Sequence, residues 1–435
     1  MANNKKQIFL NEVTDQMKSK EAKAYVAKEL NYHLKEAKNT WMEKGLSESE
    51  AEEKAVEQMG SPTKLGIQMN KLHRPKVDWW LVFLVAAAMG LSFLPMFSLG
   101  YMNDSHFIIY KILIVVLGVT ATVGVMLVDY RKWRSLGWLF YTIGILLLVF
   151  LAFFSNTMIN GLKLIKLGPI TIESLMALPF FYLAWASFFN NEKFRIWQFL
   201  LLFLSPILLF LALPSISTIY LYSVMVFVML WWSKFSKKVK WIISTGTFSS
   251  IILTCIIVWP FIKPYQLERL LVFIEPEKYS DGAGFMILKS QELMANAGWF
   301  GWFSGFGQPR IKEFIPEAHT NFVFVSFTYS YGWLFGVLLV VILSLFAVRM
   351  IAIHPKIKDS YGKLLLIGGA ALYGIQLISN IGMVLGFFPL TSMSLPFISY
   401  GLMPTLLNAI LIGVVLSVYR RKDLVFSKGR SNNFN

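Results

Sequence analysis

A single cysteine, Cys255, is all the thiol chemistry this 435-residue chain has, and it lies in an apolar segment. No disulfide framework is possible, and inert burial is the expected role. Charge is scarce as well: Asp, Glu, Lys and Arg make up 15% of the residues against 56% hydrophobic, with a mean hydropathy of +0.56. Soluble domains do not have that balance. The first 75 residues or so are polar, so no cleavable signal peptide is visible and membrane insertion has to begin near Val77. No spacing of His, Cys or carboxylates meets a metal-site template, and no phosphate-binding glycine loop occurs.

What the chain does have is apolar sequence, gathered into segments. After Pro75 there are about ten, near 78–98, 106–127, 136–155, 172–189, 196–213, 216–233, 241–260, 321–346, 364–387 and 395–418. Each is close to the ~20 residues that a bilayer core requires. The expected fold class is therefore all-α, a polytopic membrane protein of about ten transmembrane helices. Basic residues fall in every second loop and in the tail: Arg131, Lys132 and Arg134; Lys193 and Arg195; Lys234, Lys237, Lys238 and Lys240; Arg349, Lys356, Lys358 and Lys363; Arg420, Arg421 and Lys422. The positive-inside rule assigns those loops to the cytoplasm, and an even number of spans puts both termini there too. The same rule accounts for the net charge of +16, of which residues 1–76 carry only +3, without invoking nucleic acid. Inside the segments, Lys111 lies about one turn from an end and is expected to snorkel to the headgroups. Gln376 and Asn380 are expected to hydrogen-bond between helices.

Residues 1–75 read as a small cytoplasmic helical unit, with helices expected near 6–18, 20–44, 48–59 and 62–72. Ser47 to Glu50 is a capping box behind a Gly45 stop, and Ser61-Pro62 begins a helix after Gly60. A unit this short is poor in core. A transmembrane domain over 76–420 and a cytoplasmic tail over 421–435 follow.

Two stretches carry the polar chemistry. Between Asn380 and Thr405, Pro389, Pro396 and Gly401 interrupt an apolar segment, and the freed backbone must be buried in protein or line a polar cavity. Residues 261–320 form one long extracytoplasmic loop, where function is often carried. Glu275, Glu277 and Asp281 stand there beside Gly282 and Gly284. Such a loop can aim a carboxylate at an acceptor hydroxyl or at a divalent cation bridging phosphates; a solvated turn with ordinary surface acids is the alternative. Arg310 and Lys312 offer cations to a pyrophosphate, with Glu317 and His319 close behind; interfacial anchoring and a structural histidine are the alternatives. The aromatic cluster at Trp299–Phe306 suits an interfacial or re-entrant element.

These stretches resemble the SEDS family (shape, elongation, division and sporulation), to which FtsW, RodA and SpoVE belong. The resemblance rests on Asn380, Gly382, Met383, Gly386, Pro389 and the run Leu395-Pro396-Phe397-Ile398-Ser399-Tyr400-Gly401. In the long loop Phe273, Pro276, Gly282, Gly284 and Ser290 keep the family pattern, and Gly305 to Phe322 matches it over a long, specific run. Weaker similarities occur at Asn160 to Pro169, Glu173-Ser174, Leu213 to Thr218 and Asp129-Tyr130-Arg131, in the family's order. The first 75 residues are similar to the HAAS or permease-prefix domains found ahead of bacterial membrane proteins. Acids of the family pattern are replaced by Ser215, Tyr279 and Asn321, and a Glu pair by Tyr329-Ser330.

The resemblance implies a peptidoglycan glycosyltransferase of the bacterial cytoplasmic membrane, polymerising lipid II at the outer face beside a class B penicillin-binding protein. Asp281, two residues past the family's catalytic position at Tyr279, is then the catalytic carboxylate. Arg310, Lys312, Glu317, His319, Ser399 and Lys163 are the substrate-binding set. No cofactor is implied for certain, a divalent cation being compatible; membrane lipids are partners and nucleic acid is not. A catalytically inactive relative that binds lipid II or a synthase partner stays open, as, more distantly, does a lipid flippase. The topology is testable with an impermeant thiol reagent on intact cells in a Cys255→Ser background. Ser304→Cys should label and Ser236→Cys should not, and labelling at position 236 would overturn the alternation of loops.

Overall fold

The computed structural model describes residues 2–95, 105–159, 162–167, 170–258, 271–280, 284–301, 315, 318–389 and 393–424. Its contacts divide the chain into two units, one of residues 1–78, 357–359 and 419–435, the other of 79–356 and 360–418.

The larger unit is a polytopic helical membrane bundle. Among the described residues, five helices are long and apolar enough to cross a bilayer, and four shorter apolar helices join them. Every one of the ten apolar segments contains a helix, but three details differ from the sequence expectation. The eighth segment is two helices, Val323–Tyr331 and Trp333–Ile353, separated at Gly332 with φ +87°. There the backbone meets Gly301, also at positive φ; a Cβ on Gly332 would stand 2.3 Å from the Trp299 carbonyl and 2.4 Å from the Gly301 nitrogen. Trp333 and Leu334 donate to the Gly298 and Trp299 carbonyls at 3.0 and 3.1 Å, so the long loop supplies acceptors at the break. The tenth segment becomes helical only from Leu402. Finally, a three-stranded antiparallel sheet, Thr157–Ile159, Leu162–Leu167 and Ile170–Ile172, precedes the fourth apolar helix. Its register pairs Met158 with Lys163 and Lys166 with Thr171, and the Asn156 side chain brackets Lys166 through both its backbone groups.

Proline inside the Ile196–Ala212 helix shows how the bundle satisfies its backbone. Pro206 has no N–H, so the Leu202 carbonyl four residues earlier loses its helical donor. The hydroxyls of Tyr141 and Tyr222, from two other helices, donate to that carbonyl at 3.0 and 3.2 Å. Trp185 Nε1 in turn donates to the Tyr222 hydroxyl at 3.0 Å. Around these bonds Phe181, Phe199, Phe203 and Phe210 pack edge to face and stacked, with the Tyr222 ring among them, so an aromatic core surrounds the vacated acceptor.

The smaller unit holds helices Ala2–Asp15, Lys20–Glu43, Glu48–Gln58 and Pro62–His73. The capping box forms as the sequence indicates, with reciprocal bonds between Ser47 and Glu50 that hold the Glu50 carboxyl below the usual carboxylate range. Gly45 and Gly60 end their helices at φ +92° and +73°. Leu424 completes the core of Phe9, Val13, Val26, Leu30 and Leu34, from the other end of the chain. Arg421 is fully buried and bonds Glu21 bidentately through Nε and Nη2 at 2.9 and 2.8 Å. Asp423 receives Lys76 on its carboxylate at 2.9 Å and His73 Nδ1 on its carbonyl at 2.8 Å. Arg421→Ala removes a buried cation and leaves Glu21 without its fork, a loss of about 2–3 kcal/mol. Hydrogen exchange should then quicken across Lys20–Glu43, and protection equal to that of the unmodified chain would refute the role given to Arg421.

Candidate functional site

The broken tenth segment needs partners for its backbone, and it finds them in two other places in the chain. Ser399 is the centre. Its hydroxyl accepts from the Leu395 N–H and donates to the Thr320 carbonyl, both at 2.7 Å. The Tyr400 N–H donates to the His319 carbonyl at 2.9 Å, and the two rings meet edge to face at 5.6 Å. Asn380, in the Ser360–Val384 helix, donates through Nδ2 to the carbonyls of Asn321 and Met393 at 2.8 and 2.7 Å. The end of the long loop, residues 318–322, is thus sewn to the interrupted segment 393–401 through buried polar groups. This is what an apolar environment demands of irregular backbone.

Strain is stored in the same turn. Phe397 sits at φ +63°, a region a branched aromatic side chain enters at a cost of about 1–2 kcal/mol. Burial against the rings of Phe346 and Tyr373 holds it there.

Lys111 departs from the expectation drawn from sequence. Rather than snorkelling, it is fully buried, with Nζ 3.4 Å from the Ser399 carbonyl and 5.9 Å from the centre of the Tyr400 ring. Its helix, Ser105–Leu127, packs on Leu402–Arg420 through Gly118, Thr122 and Gly413, where a Cβ on Gly118 would stand 3.1 Å from Thr405 and Thr122 donates to the Ala409 carbonyl. That close approach brings the ammonium to the broken segment.

Of the substrate-binding candidates, His319 and Ser399 are therefore neighbours. Lys163 is in the middle strand opposite Met158, on an element that packs with the Gly137–Phe154 helix. Asp281, Arg310, Lys312 and Glu317 lie outside the described residues, as does Ser304. The turn leading to Asp281 is described up to Ser280. Glu275 is ion-paired with Lys278 and raises the pKa of that ammonium, whereas Glu277 is exposed. Gly284 closes the turn by donating to the Tyr279 carbonyl at 3.0 Å, and a Cβ there would stand 2.3 Å from the Pro276 carbonyl. Only glycine permits that return of the chain. The helix Phe285–Ala295 follows, and its Gln291 side chain lies where a Cβ on Gly386 would project.

Two distant sequence similarities also meet. Ser174, just after Glu173, shares a short hydroxyl contact with Ser215 and lies 3.2 Å from Thr218 Oγ1, all three buried. Asn321, where the family pattern has an acid, accepts from Asn380 on its backbone and from Ser394 on Oδ1 at 3.4 Å. Among the described residues no three His, Cys, Asp or Glu side chains gather as metal ligands would.

The FtsW/RodA/SpoVE family of cell cycle proteins matches residues 76–424. The chain belongs to that family. A protein of Coxiella burnetii named probable peptidoglycan glycosyltransferase FtsW is 27% identical over 371 residues, covering 78% of this chain and 95% of that one. Stage V sporulation protein E of Bacillus subtilis is 28% identical, covering 79% and 97%. A solved chain from work on polymerization and crosslinking by a peptidoglycan synthase complex superposes with a TM-score of 0.69 at 28% identity, over 80% of this chain and 98% of that one. Thermus thermophilus RodA shares the fold, with a TM-score of 0.59 and 23% identity over 80% of this chain and 97% of that one.

Ser399→Ala deletes both bonds of the central hydroxyl and takes the acceptor from the buried Leu395 N–H, at about 1–3 kcal/mol. The thermal midpoint in detergent should fall and exchange at Leu395 should quicken. A variant as stable as the parent would mean that the hydroxyl is not what joins the two segments.

Proposed function

We propose that this chain is a peptidoglycan glycosyltransferase that polymerises lipid II at the outer face of the bacterial cytoplasmic membrane, in cell-wall synthesis for shape, division or sporulation. The observation that carries the reading is the family match across nearly the whole membrane unit, with relatives named for this activity that align over almost their full length. Parts of the best-matched loop, 273–280, 284–290 and 318–322, lie on described backbone, where Gly284 and Thr320 have structural work in this fold. A solved relative comes from work on a peptidoglycan synthase complex, which supports a class B penicillin-binding protein as partner and lipid II as substrate.

In this reading Asp281 is the base. It accepts the proton of the acceptor sugar's hydroxyl as that oxygen attacks the anomeric carbon of the donor, and the lipid pyrophosphate leaves. Arg310 and Lys312 neutralise the pyrophosphate, and a divalent cation is compatible with the same role. Glu317, His319, Ser399 and Lys163 hold the polar part of the substrate. Glu275 is already ion-paired with Lys278. The N-terminal unit is read as a HAAS-like prefix on the cytoplasmic side. That Arg421, Asp423 and Leu424 pack among its helices supports both termini lying on one side of the membrane.

A second reading, a non-catalytic scaffold that binds lipid II or a synthase, is favoured by one specific observation. Tyr279 occupies the family's acid position, and the positions of two further acids are filled by Ser215 and Asn321, which sit in neutral hydrogen-bonded clusters. Purified protein given lipid II, with and without its penicillin-binding partner, separates the two. Asp281→Asn should lower polymerisation by a hundredfold or more with lipid II binding retained, while Glu275→Gln and Glu277→Gln should have smaller effects. An inactive parent chain that Tyr279→Asp makes active would establish the scaffold.

A further inference from the structure

Lys111 has no role in the reading above, yet its burial is costly. A lysine that loses all contact with water inside an apolar bundle forfeits its hydration, and Met or Leu would fill the same volume without that loss. Among the described residues no carboxylate pairs with it. The ammonium has one acceptor, the Ser399 carbonyl, and one ring beside it, that of Tyr400.

Those two residues are the ones that hold the end of the long loop. The Ser399 carbonyl lies just before the Leu402–Arg420 helix, where the broken segment has left backbone outside the helix, and Lys111 supplies a donor to it. The hydroxyl of the same Ser399 binds Thr320, and the amide of Tyr400 binds His319. Tyr400 also meets the rings of Phe107 and Tyr110, from the turn that leads into Lys111. One cation on the Ser105–Leu127 helix is thus a single contact from both residues that clasp His319 and Thr320.

We propose that Lys111 is a positioning residue for glycosyl transfer, a buried cation that fixes the Leu395–Gly401 turn and, through Ser399 and Tyr400, the placement of His319–Asn321 at the foot of the long loop. A misplacement of this segment by a fraction of an ångström disturbs alignment in the transition state more than it disturbs binding of the substrate. The proposal rests on the glycosyltransferase reading for its kinetic consequence, and on the geometry alone for its structural one.

The test uses full-length protein in detergent or nanodiscs with lipid II, comparing Lys111→Met and Lys111→Arg with the parent. Lys111→Met should lower kcat tenfold or more with KM for lipid II changed less than threefold, and amide exchange at residues 319–321 and 395–400 should rise at least tenfold. Lys111→Arg keeps a charged donor and should recover most of the lost kcat. If Lys111→Met does not accumulate, Lys111→Gln serves the same comparison, retaining a donor without the charge. A folded neutral variant with kcat within threefold of the parent, or a fall in yield alone with unchanged kcat per folded molecule, overturns the proposal. If the parent itself does not polymerise lipid II, the glycosyltransferase reading fails, and the clasp is then judged by exchange: unchanged protection at 319–321 and 395–400 would overturn it independently.

Discussion

Backbone that leaves a helix inside an apolar bundle must find hydrogen-bond partners in side chains or in other backbone, because no water is present to take their place. This constraint organises the membrane unit at three points. At Pro206 the missing amide is compensated by two tyrosine hydroxyls acting on one carbonyl. At Gly332 two loop carbonyls accept from the first turn of the following helix. Between Met393 and Gly401 the partners are Ser399, Asn380, His319 and Lys111. Two of these points recruit residues of the long loop. The loop is anchored where the helices are incomplete.

That arrangement explains why polar residues in so apolar a chain cluster as they do. The Ser174, Ser215 and Thr218 hydroxyls bond mainly to one another, and Asn408 donates to Gln376 at 3.1 Å. Such neutral pairs cost less to bury than charges, and each fixes the rotation of one helix against another. Lys111 differs from these pairs: its ammonium is buried within the bundle, and its acceptor among the described residues is a backbone carbonyl.

Much of this was legible in the sequence where the signal is local. Capping boxes, glycine stops and apolar segment lengths depend on residues a few positions apart, and the second to fourth N-terminal helices begin and end near where those signals put them. Signals that depend on distant partners were not legible. Gly332 lies within a continuous apolar run, and only its meeting with Gly301 accounts for the break. Lys111 finds its acceptor 288 residues away, so its neighbours in sequence pointed toward the headgroups instead. The small sheet had a usable signal in Asn160-Gly161 and Gly168-Pro169, turn dipeptides flanking an alternating stretch, but the surrounding apolar helices obscured it. Of the candidate site, the link between His319 and Ser399 could be suspected from matching motifs, whereas the Ser399 hydroxyl as the joint between two segments is a property of the folded chain.

The packing of Arg421 and Leu424 into the N-terminal helices has a consequence for biogenesis. Arg421 and Glu21 are 400 positions apart, so the ribosome releases Glu21 long before its partner exists. During that interval the second helix carries an unanswered carboxylate, and the cluster around Leu30 and Leu34 lacks the side chain of Leu424. The packing of the second helix is therefore completed only after the Leu402–Arg420 helix has been made.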